Sequence, residues 1–328
     1  MTTRPFRCGL EDLGNGLYAW MQPDGSWGWS NAGFIRDDDE SLLVDTLFDE
    51  PLTAKMLAAL QDATGIAPEE IGVLVNTHAN GDHTHGNALV PHAEVIASAA
   101  AAREMTELTS AQLAQFKVAG RAGSLGEAGT YFAEVFAPFD FATARGREPT
   151  RTFDRRLDLQ VGNKNVELHM LGPAHTTGDT LVWVPDDRAV FTGDLLFIGG
   201  TPIMWNGPVG NWLAACDRIL SFEAEIIVPG HGPMTDAAGV RRVQDYLRYL
   251  DREARLRFDV GMAVEDAALD IALGEYRHWL NPERIVANVD ALYREYRGDR
   301  SEPDMARLFG LMARVRRQLG SRSLGDAT

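Results

Sequence analysis

The chain of 328 residues carries a formal net charge of -16, and 45% of its residues are hydrophobic. This charge argues against nucleic acid as a partner, because contacts to phosphate need clustered lysine and arginine. No apolar run approaches the roughly 20 residues that cross a bilayer, so we expect no membrane partner. With only Cys8 and Cys216, a disulfide framework is not indicated.

The N-terminal part has the pattern of a hairpin-rich sheet followed by a helix. Strand-like runs at 17–21, 31–35 and 42–45 are separated by turn residues. Residues 51–64 predict the first helix, with Pro51 at a tolerated early position and apolar residues at helical spacing. The first seven residues lack the apolar core of a signal peptide, which predicts the cytoplasm.

A strand-like run at 71–76 is followed, from residue 97, by alanine-rich helical composition with glycines at 120–129. We therefore predict a helical insertion at about 97–150, either as a lid over a site or as helices packed on the sheet. Arginines cluster near its end, and we interpret them as a solvated face. They are Arg145, Arg147, Arg151, Arg155 and Arg156.

Strand-like runs resume at 157–161, 166–171, 181–184, 189–191 and 225–228. Apolar residues then recur at three- and four-residue steps over 240–258 and 305–319, which predicts a helical region at 241–328. This region is expected to pack on the main domain, shape a pocket or make a dimer contact. The polar tail 320–328 is predicted to fray.

Residues 77–86 bring together three imidazoles, a carboxylate and a carboxamide directly after the run 71–76. These side chains are His78, Asn80, Asp82, His83 and His85. Imidazole nitrogen and carboxylate oxygen hold borderline divalent cations such as zinc, and Gly81 and Gly86 are expected to permit the sharp turns that bring ligands together. A metal site is the first hypothesis.

Three further candidate ligands each follow a strand-like run, where the chain enters a glycine-bearing loop. They are His175, Asp194 and His231. One histidine at a strand end is more often a hydrogen-bonded structural residue than a ligand. The segment 77–86 and these three motifs each follow a strand-like run. Their number and order favour one shared metal site over four separate structural roles.

In this order the motifs resemble those of the metallo-β-lactamase-fold hydrolases, over roughly the first 240 residues. The resemblance implies an α/β fold: a four-layer αββα sandwich at 1–240 with a helical C-terminal appendage at 241–328. It also implies that Asp82, His83 and His231 form one metal pocket. The other pocket would hold His78, Asn80 and His175, and Asp194 would bridge the two.

Asn80 stands where the family has its second histidine. A neutral amide oxygen is a poorer zinc ligand than an imidazole nitrogen, so we predict one tight zinc site and one weak site, with iron or manganese as alternatives. His85 could replace the missing imidazole or donate a proton to a leaving group, but a residue outside the ligand set is favoured. His92, His169 and His278 have no motif and are expected to be structural.

The resemblance implies a hydrolase in which a metal-activated water attacks the substrate and Asp82 and Asp194 are the catalytic carboxylates. Alternatives are a metal-dependent cyclase or decarboxylase of natural-product intermediates, a sulfatase, a sulfur dioxygenase, or a degenerate protein that only binds. Catalysis is favoured, because crowding Asp82 with Asp194 is costly unless a cation neutralises them.

Aromatic residues carry the substrate hypothesis. Trp27 and Trp29 lie in a glycine-bearing loop where exposed rings would favour an apolar substrate, although folding back into the core is nearly as probable on composition. Trp205 would add another apolar wall. We expect the small-molecule substrate to be a partly apolar ester, lactone, thioester or amide. We expect no nucleic acid or membrane partner, and a homodimer is allowed.

Overall fold

The computed structural model describes residues 5–325 of the chain, and side chains as far as residue 319. Seven strands form the first sheet in chain order: β1 (Gly9–Gly14), β2 (Leu17–Met21), β3 (Ala32–Asp37), β4 (Glu40–Val44), β5 (Val73–Val75), β6 (Glu94–Ser98) and β7 (Arg151–Phe153). Neighbours from β1 to β4 are antiparallel, and those from β4 to β7 are parallel. Because parallel strands end at the same edge, the loops after β4 and β5 lie side by side.

The second sheet has five strands in the order β12-β11-β10-β9-β8. They are β8 (Arg156–Val161), β9 (Lys164–Met170), β10 (Thr180–Val184), β11 (Ala189–Phe191) and β12 (Ile226–Val228). Only β11 and β12 are parallel. The loops after β9, β11 and β12 carry His175, Asp194 and His231.

Ten helices surround the sheets: α1 (Glu50–Thr64), α2 (Gly81–Thr84), α3 (Ala99–Glu104), α4 (Ser110–Arg121), α5 (Gly126–Val135), α6 (Val209–Ser221), α7 (Ala237–Asp259), α8 (Val264–Asp270), α9 (Ile285–Arg297) and α10 (Met305–Gly325), all within the described residues. The start of α1 shows how local chemistry sets a boundary. The Asp49 carboxylate accepts a hydrogen bond from the Leu52 backbone N–H at 2.8 Å, and the helix ends at Gly65 with a φ of 78°.

The core is layered. Leu17, Ile35, Val166 and Val182 belong to an apolar cluster between the two sheets. A second cluster joins the outer face of the first sheet to α1 through residues such as Phe34, Leu43, Met56 and Leu60. A third joins the outer face of the second sheet to α6, α7 and the later helices. The expected four-layer αββα sandwich with C-terminal helices is thereby confirmed.

The C-terminal helices share the third cluster with the sandwich, since Leu250, Val289 and Met312 lie in the same apolar cluster as Trp183. Of the expected roles, packing on the main domain is therefore observed. The predicted boundary between residues 240 and 241 lies inside α7, and the domain division stays a prediction. Helix α10 continues through Gly325 in the tail expected to fray, while 326–328 lie outside the described residues.

The helical insertion predicted at about 97–150 corresponds to the segment between β6, which ends at Ser98, and β7, which begins at Arg151. Helices α3, α4 and α5 lie in this segment, and its status as an insertion within the domain stays a prediction. Strand β6 is flanked by parallel neighbours, and its Val95, Ile96 and Ala97 are fully buried, as is typical of a central strand of a parallel sheet. Phe132 of α5 packs on Phe309 of α10 at 5.6 Å between ring centroids, so the insertion contacts the C-terminal helices. Among the described residues, none of the helices has both the length and the apolarity of a membrane span.

Candidate metal centre

The candidate ligands converge at one edge of the sandwich. Loops from both sheets meet there, and the Thr180 N–H donates to the Thr77 carbonyl at 2.8 Å across the join. His78, His83, His175 and His231 are each at most 3% exposed, and Asp194 is 4% exposed. Four imidazoles and a carboxylate therefore face one another in a buried site.

The first group of potential ligands consists of His78, His175 and Asp194, whose ligand atoms lie within 4.8 Å of one another. Asp194 Oδ2 is 3.3 Å from His175 Nε2 and 3.7 Å from His78 Nε2. Asn80 belongs beside this group, because its Oδ1 is 2.8 Å from His175 Nε2.

The second group consists of Asp82, His83 and His231. His231 Nε2 is 3.3 Å from Asp82 Oδ2 and 3.4 Å from Asp194 Oδ2, while His83 Nε2 is 3.1 Å from Asp194 Oδ1. Asp194 thus lies between both groups, as the bridging assignment expects. The Asp82 side chain is 14% exposed and is the most accessible member of the second group.

Each imidazole is oriented through its other nitrogen. The Nδ1 atoms of His83 and His78 contact Asp45 Oδ2 at 2.9 Å and Thr77 Oγ1 at 3.0 Å. The Nδ1 atoms of His175 and His231 face backbone carbonyls, Ile203 O at 2.6 Å and Gly25 O at 3.2 Å. With Nδ1–H donating in all four rings, every Nε2 presents a lone pair to the centre.

Asp45 is a functional residue that the sequence reasoning missed. Its carboxylate accepts hydrogen bonds from the Thr77 N–H and hydroxyl, both at 2.7 Å, in addition to His83 Nδ1. It thus positions His83 directly and His78 through the Thr77 hydroxyl, which contacts His78 Nδ1. The available signal was an acidic residue directly after a buried strand, and only the pairing of β4 with β5 shows what it contacts.

Asp179 plays a similar part around His175. Its carboxylate accepts from the N–H groups of Ala174 and Thr176 and from the Thr176 hydroxyl, at 2.6 to 3.1 Å. Burial raises the pKa of Asp179 to about 7. Asn31 acts on the opposite side, donating to the carbonyls of Pro229 and Gly232 and so fixing the loop that carries His231.

The atoms of this centre fit a divalent cation. His78 Nε2, His83 Nε2 and Asp194 Oδ1 are buried without a hydrogen-bond partner, although such atoms nearly always have one. Burial raises the pKa of Asp194, but His231, His83 and His78 outweigh it and hold that pKa well below its usual range. Burial lowers the pKa of His78 well below its usual value, which keeps this imidazole neutral and able to coordinate. A cation would satisfy these lone pairs together.

The glycines in the motifs are needed because a side chain at these positions would collide with neighbouring atoms. A Cβ atom on Gly81 would lie 2.4 Å from the His85 ring, and one on Gly86 would lie 2.1 Å from Thr53 Oγ1. Neither glycine has a positive φ, so what these positions require is the absence of a side chain and not a left-handed backbone. Gly230 has the tightest approach to the centre, since its Cβ would lie 2.0 Å from Asp194 Oδ1.

His85 lies outside both ligand groups. Its ring packs 5.7 Å from Phe48 and 6.2 Å from Phe141, and burial lowers its pKa to about 4. At neutral pH the ring is therefore uncharged, which argues against the expected alternative of a proton donor to a leaving group. His92 and His278 are exposed, and His169 Nε2 contacts Glu167 Oε2 at 2.8 Å.

The aromatic loop is less exposed than expected. Trp27 is 8% exposed and packs against Phe136 at 5.8 Å and Phe309 at 5.9 Å, so the expectation of an exposed ring was wrong for this residue. Helices α5 and α10 cover it, and neither is predictable from the loop itself. Trp29 and Trp205 are partly buried, and Trp29 packs on Phe139 at 4.9 Å.

Residues 25–231 match the family model of the metallo-beta-lactamase superfamily, and the chain belongs to this superfamily. The match covers strands β3 to β12 and every candidate ligand. Members of the superfamily are mostly hydrolases, and the His and Asp groups described above suggest divalent metal binding.

Similar proteins are distant. The chain is 25% identical over 239 residues to the 2,4-dinitroanisole O-demethylase subunit alpha of Nocardioides sp. (strain JS1661), a match over 70% of this chain and 57% of the relative. It is 22% identical over 226 residues to the beta-lactamase-like protein 2 homolog of Caenorhabditis elegans, covering 69% and 63%. The chain thus spans less than two thirds of the length of either relative.

Solved structures share the fold. The sec-alkylsulfatase Pisa1 from Pseudomonas sp. aligns with a TM-score of 0.66 at 17% identity, over 88% of this chain and 50% of that chain. A metallo-beta-lactamase from Pontibacter korlensis aligns with a TM-score of 0.54 at 16% identity, over 74% of this chain and 99% of that chain.

Proposed function

We propose that the protein is a metal-dependent hydrolase that uses a metal-activated water on an ester, lactone, thioester or amide of a partly apolar small molecule. The observation that carries this proposal is the convergence of four imidazoles and Asp82 on the carboxylate of Asp194, with buried lone pairs that lack a partner. A structural cluster would satisfy those lone pairs with N–H or O–H donors.

The roles of the residues follow from their positions. Asp82, His83 and His231 would hold the tight cation, Asp194 would bridge, and His78, Asn80 and His175 would form the weak site. A bound divalent cation, for which we propose zinc, supplies a water nucleophile at neutral pH and polarises a carbonyl group. Asp82, as the more exposed carboxylate, orients the nucleophile, and Asp194 stays ionised among the imidazoles.

The central test combines metal analysis with a substrate panel. Protein never exposed to chelator should contain about one zinc per chain and turn over at least one of a set of aryl esters, lactones, thioesters, amides and β-lactams. His83→Ala should lose both metal and turnover, whereas His92→Ala, at an exposed histidine far from the motifs, should keep both. Metal-free wild-type protein would overturn the proposal.

The names of the similar proteins extend this panel. One relative is named for O-demethylation of 2,4-dinitroanisole and one solved structure is a sec-alkylsulfatase, so an aryl methyl ether and a secondary alkyl sulfate belong beside the carbonyl substrates. Turnover of only these two would replace carbonyl hydrolysis by cleavage at an ether or sulfate oxygen. Bound iron with oxygen consumption would instead indicate a sulfur dioxygenase.

A further inference from the structure

Arg284 is a buried cation beside the candidate metal centre. It ends the short 3-10 helix Pro282–Arg284 in front of α9 and is 2% exposed. Its guanidinium carbon lies 4.2 Å from the ring centroid of Trp27 and 5.4 Å from that of Phe197. Phe197 in turn stacks on His231 with centroids 5.1 Å apart, so one aromatic ring separates the guanidinium from a candidate metal ligand.

The guanidinium of Arg284 has few direct polar partners. Within the described part of the chain, its side chain makes one hydrogen bond, from Nη1 to the Thr201 carbonyl at 3.1 Å, and forms no salt bridge. The Nε atom is buried without a partner. The neighbouring Glu283 carboxylate offsets part of the charge of Arg284 without forming a salt bridge to it, and its Oε1 accepts from the Tyr131 hydroxyl at 2.7 Å and from the Trp27 indole at 3.4 Å.

A buried guanidinium stays protonated, and leaving it without an anion costs several kcal/mol. Burial lowers the pKa of Arg284, the Glu283 carboxylate raises it most, and Asp194 and Asp82 at the centre raise it further. Once a divalent cation neutralises those carboxylates, Arg284 faces a centre with positive charge. An anion between Arg284 and the bound cation would offset the positive charge of both.

We propose that Arg284 binds an anionic group, a carboxylate or sulfate, carried by the substrate beside the scissile bond. This inference rests on the proposed function and narrows its substrate class to partly apolar molecules with one negative charge. Trp27 and Phe197 flank the guanidinium and would contact the apolar part. The C-terminal region thereby contributes a specificity residue to a centre whose metal ligands all precede residue 232.

A pair of chromogenic esters of equal acyl length tests the proposal. Mono-4-nitrophenyl glutarate carries a terminal carboxylate, and 4-nitrophenyl pentanoate does not. Arg284→Met should raise KM for the glutarate ester about 10- to 100-fold and should raise KM for the pentanoate ester far less, and Arg284→Lys should have an intermediate effect on the glutarate ester. Arg257→Met is the matched control, since this partly buried arginine of α7 is paired with Glu253 and Asp270 away from the centre.

Binding measured by calorimetry separates this proposal from the hydrolase proposal. Glutarate or sulfate should bind wild-type protein and bind Arg284→Met at least about tenfold more weakly, whether or not either ester is turned over. Arg284-dependent binding without any turnover would support the anion site and count against the hydrolase. Equal losses for both esters in Arg284→Met, or no binding of either anion to wild type, would overturn the anion site.

Discussion

Asn80 is the residue at which this centre departs from the pattern of its superfamily. Its Oδ1 lies 2.8 Å from His175 Nε2, and His175 Nδ1 already faces the Ile203 carbonyl. Two acceptor atoms would then face each other, unless a cation lies between them or the amide nitrogen points toward the ring. A carboxamide can thus complete the first group, but with weaker donation than an imidazole.

Replacing Asn80 by histidine should strengthen the first group. We expect Asn80→His to raise the zinc content from about one toward two per chain, because imidazole nitrogen donates more strongly than an amide oxygen. Elemental analysis after dialysis against a fixed zinc concentration measures this. Asn211→His, at an exposed position of α6, is the control and should leave the content unchanged. Two tightly held metals in the wild type would contradict the prediction.

Gly230 illustrates a residue whose role is to be small. A Cβ atom there would lie 2.0 Å from Asp194 Oδ1 and 2.6 Å from the Gly193 backbone. Gly230→Ala should therefore displace the bridging carboxylate and lower zinc affinity by at least about tenfold, as for other residues that position ligands. Gly210→Ala is the matched control, because nothing lies within 4 Å of its added Cβ. Equal metal affinities of the two variants would count against a bridging Asp194.

The loop between β2 and β3 connects the sandwich to the helices around it. Its Gly25 carbonyl faces His231 Nδ1 at 3.2 Å, while its Trp27 ring packs among α5, α10 and Arg284. Tyr131 of α5 and Trp27 both donate to Glu283. One loop thus links a candidate metal ligand, the insertion and the C-terminal region, so substrate selectivity and stability are expected to depend on the same residues.

Truncation of the two loop tryptophans should therefore have unequal effects. We expect Trp27→Ala to reduce the free energy of unfolding by about 3–5 kcal/mol, because a buried ring leaves a cavity, and Trp29→Ala to cost less because its ring is only partly buried. Urea denaturation measures both. Metal content of the folded variants should match the wild type. If Trp29→Ala reduced the free energy of unfolding as much as Trp27→Ala, the difference in burial between the two rings would not determine their contributions to stability.

At the scale of the whole molecule, metal binding should stabilise the fold. The ligands come from loops of both sheets, so a cation ties the two halves of the sandwich together and binds the native state more tightly than the unfolded chain. We expect complete removal of the metal to lower Tm by about 5 °C or more.

Thermal unfolding before and after chelation, followed by addition of zinc, measures this effect. Wild-type protein should regain its Tm when zinc is restored, and His83→Ala should respond to neither treatment. An unchanged Tm in wild-type protein from which elemental analysis finds all metal removed would contradict a structural link through the metal.

The candidate metal-ligand motifs could be predicted from the sequence because the residues of each motif lie close together in the chain. His78, Asp82 and His83 lie within one loop, and the strands before His175, Asp194 and His231 are short apolar runs bounded by glycine or proline. Alternating strand and helix patterns, with the order of the motifs, also indicated the αββα sandwich. Such features depend on side-chain type and spacing along the chain, which the sequence states directly.

Other features depend on partners distant in the chain, and only the tertiary structure decided them. Strand β6 becomes a central strand because β5 and β7, which lie far apart in the chain, pair with it on both sides. Asp45 and Arg284 acquire their positions only when β4 pairs with β5 and the C-terminal helices pack on the sandwich. Burial of Trp27 likewise requires α5 and α10. The free energy of such contacts depends on which distant segments pack together, and no local sequence pattern specifies that packing.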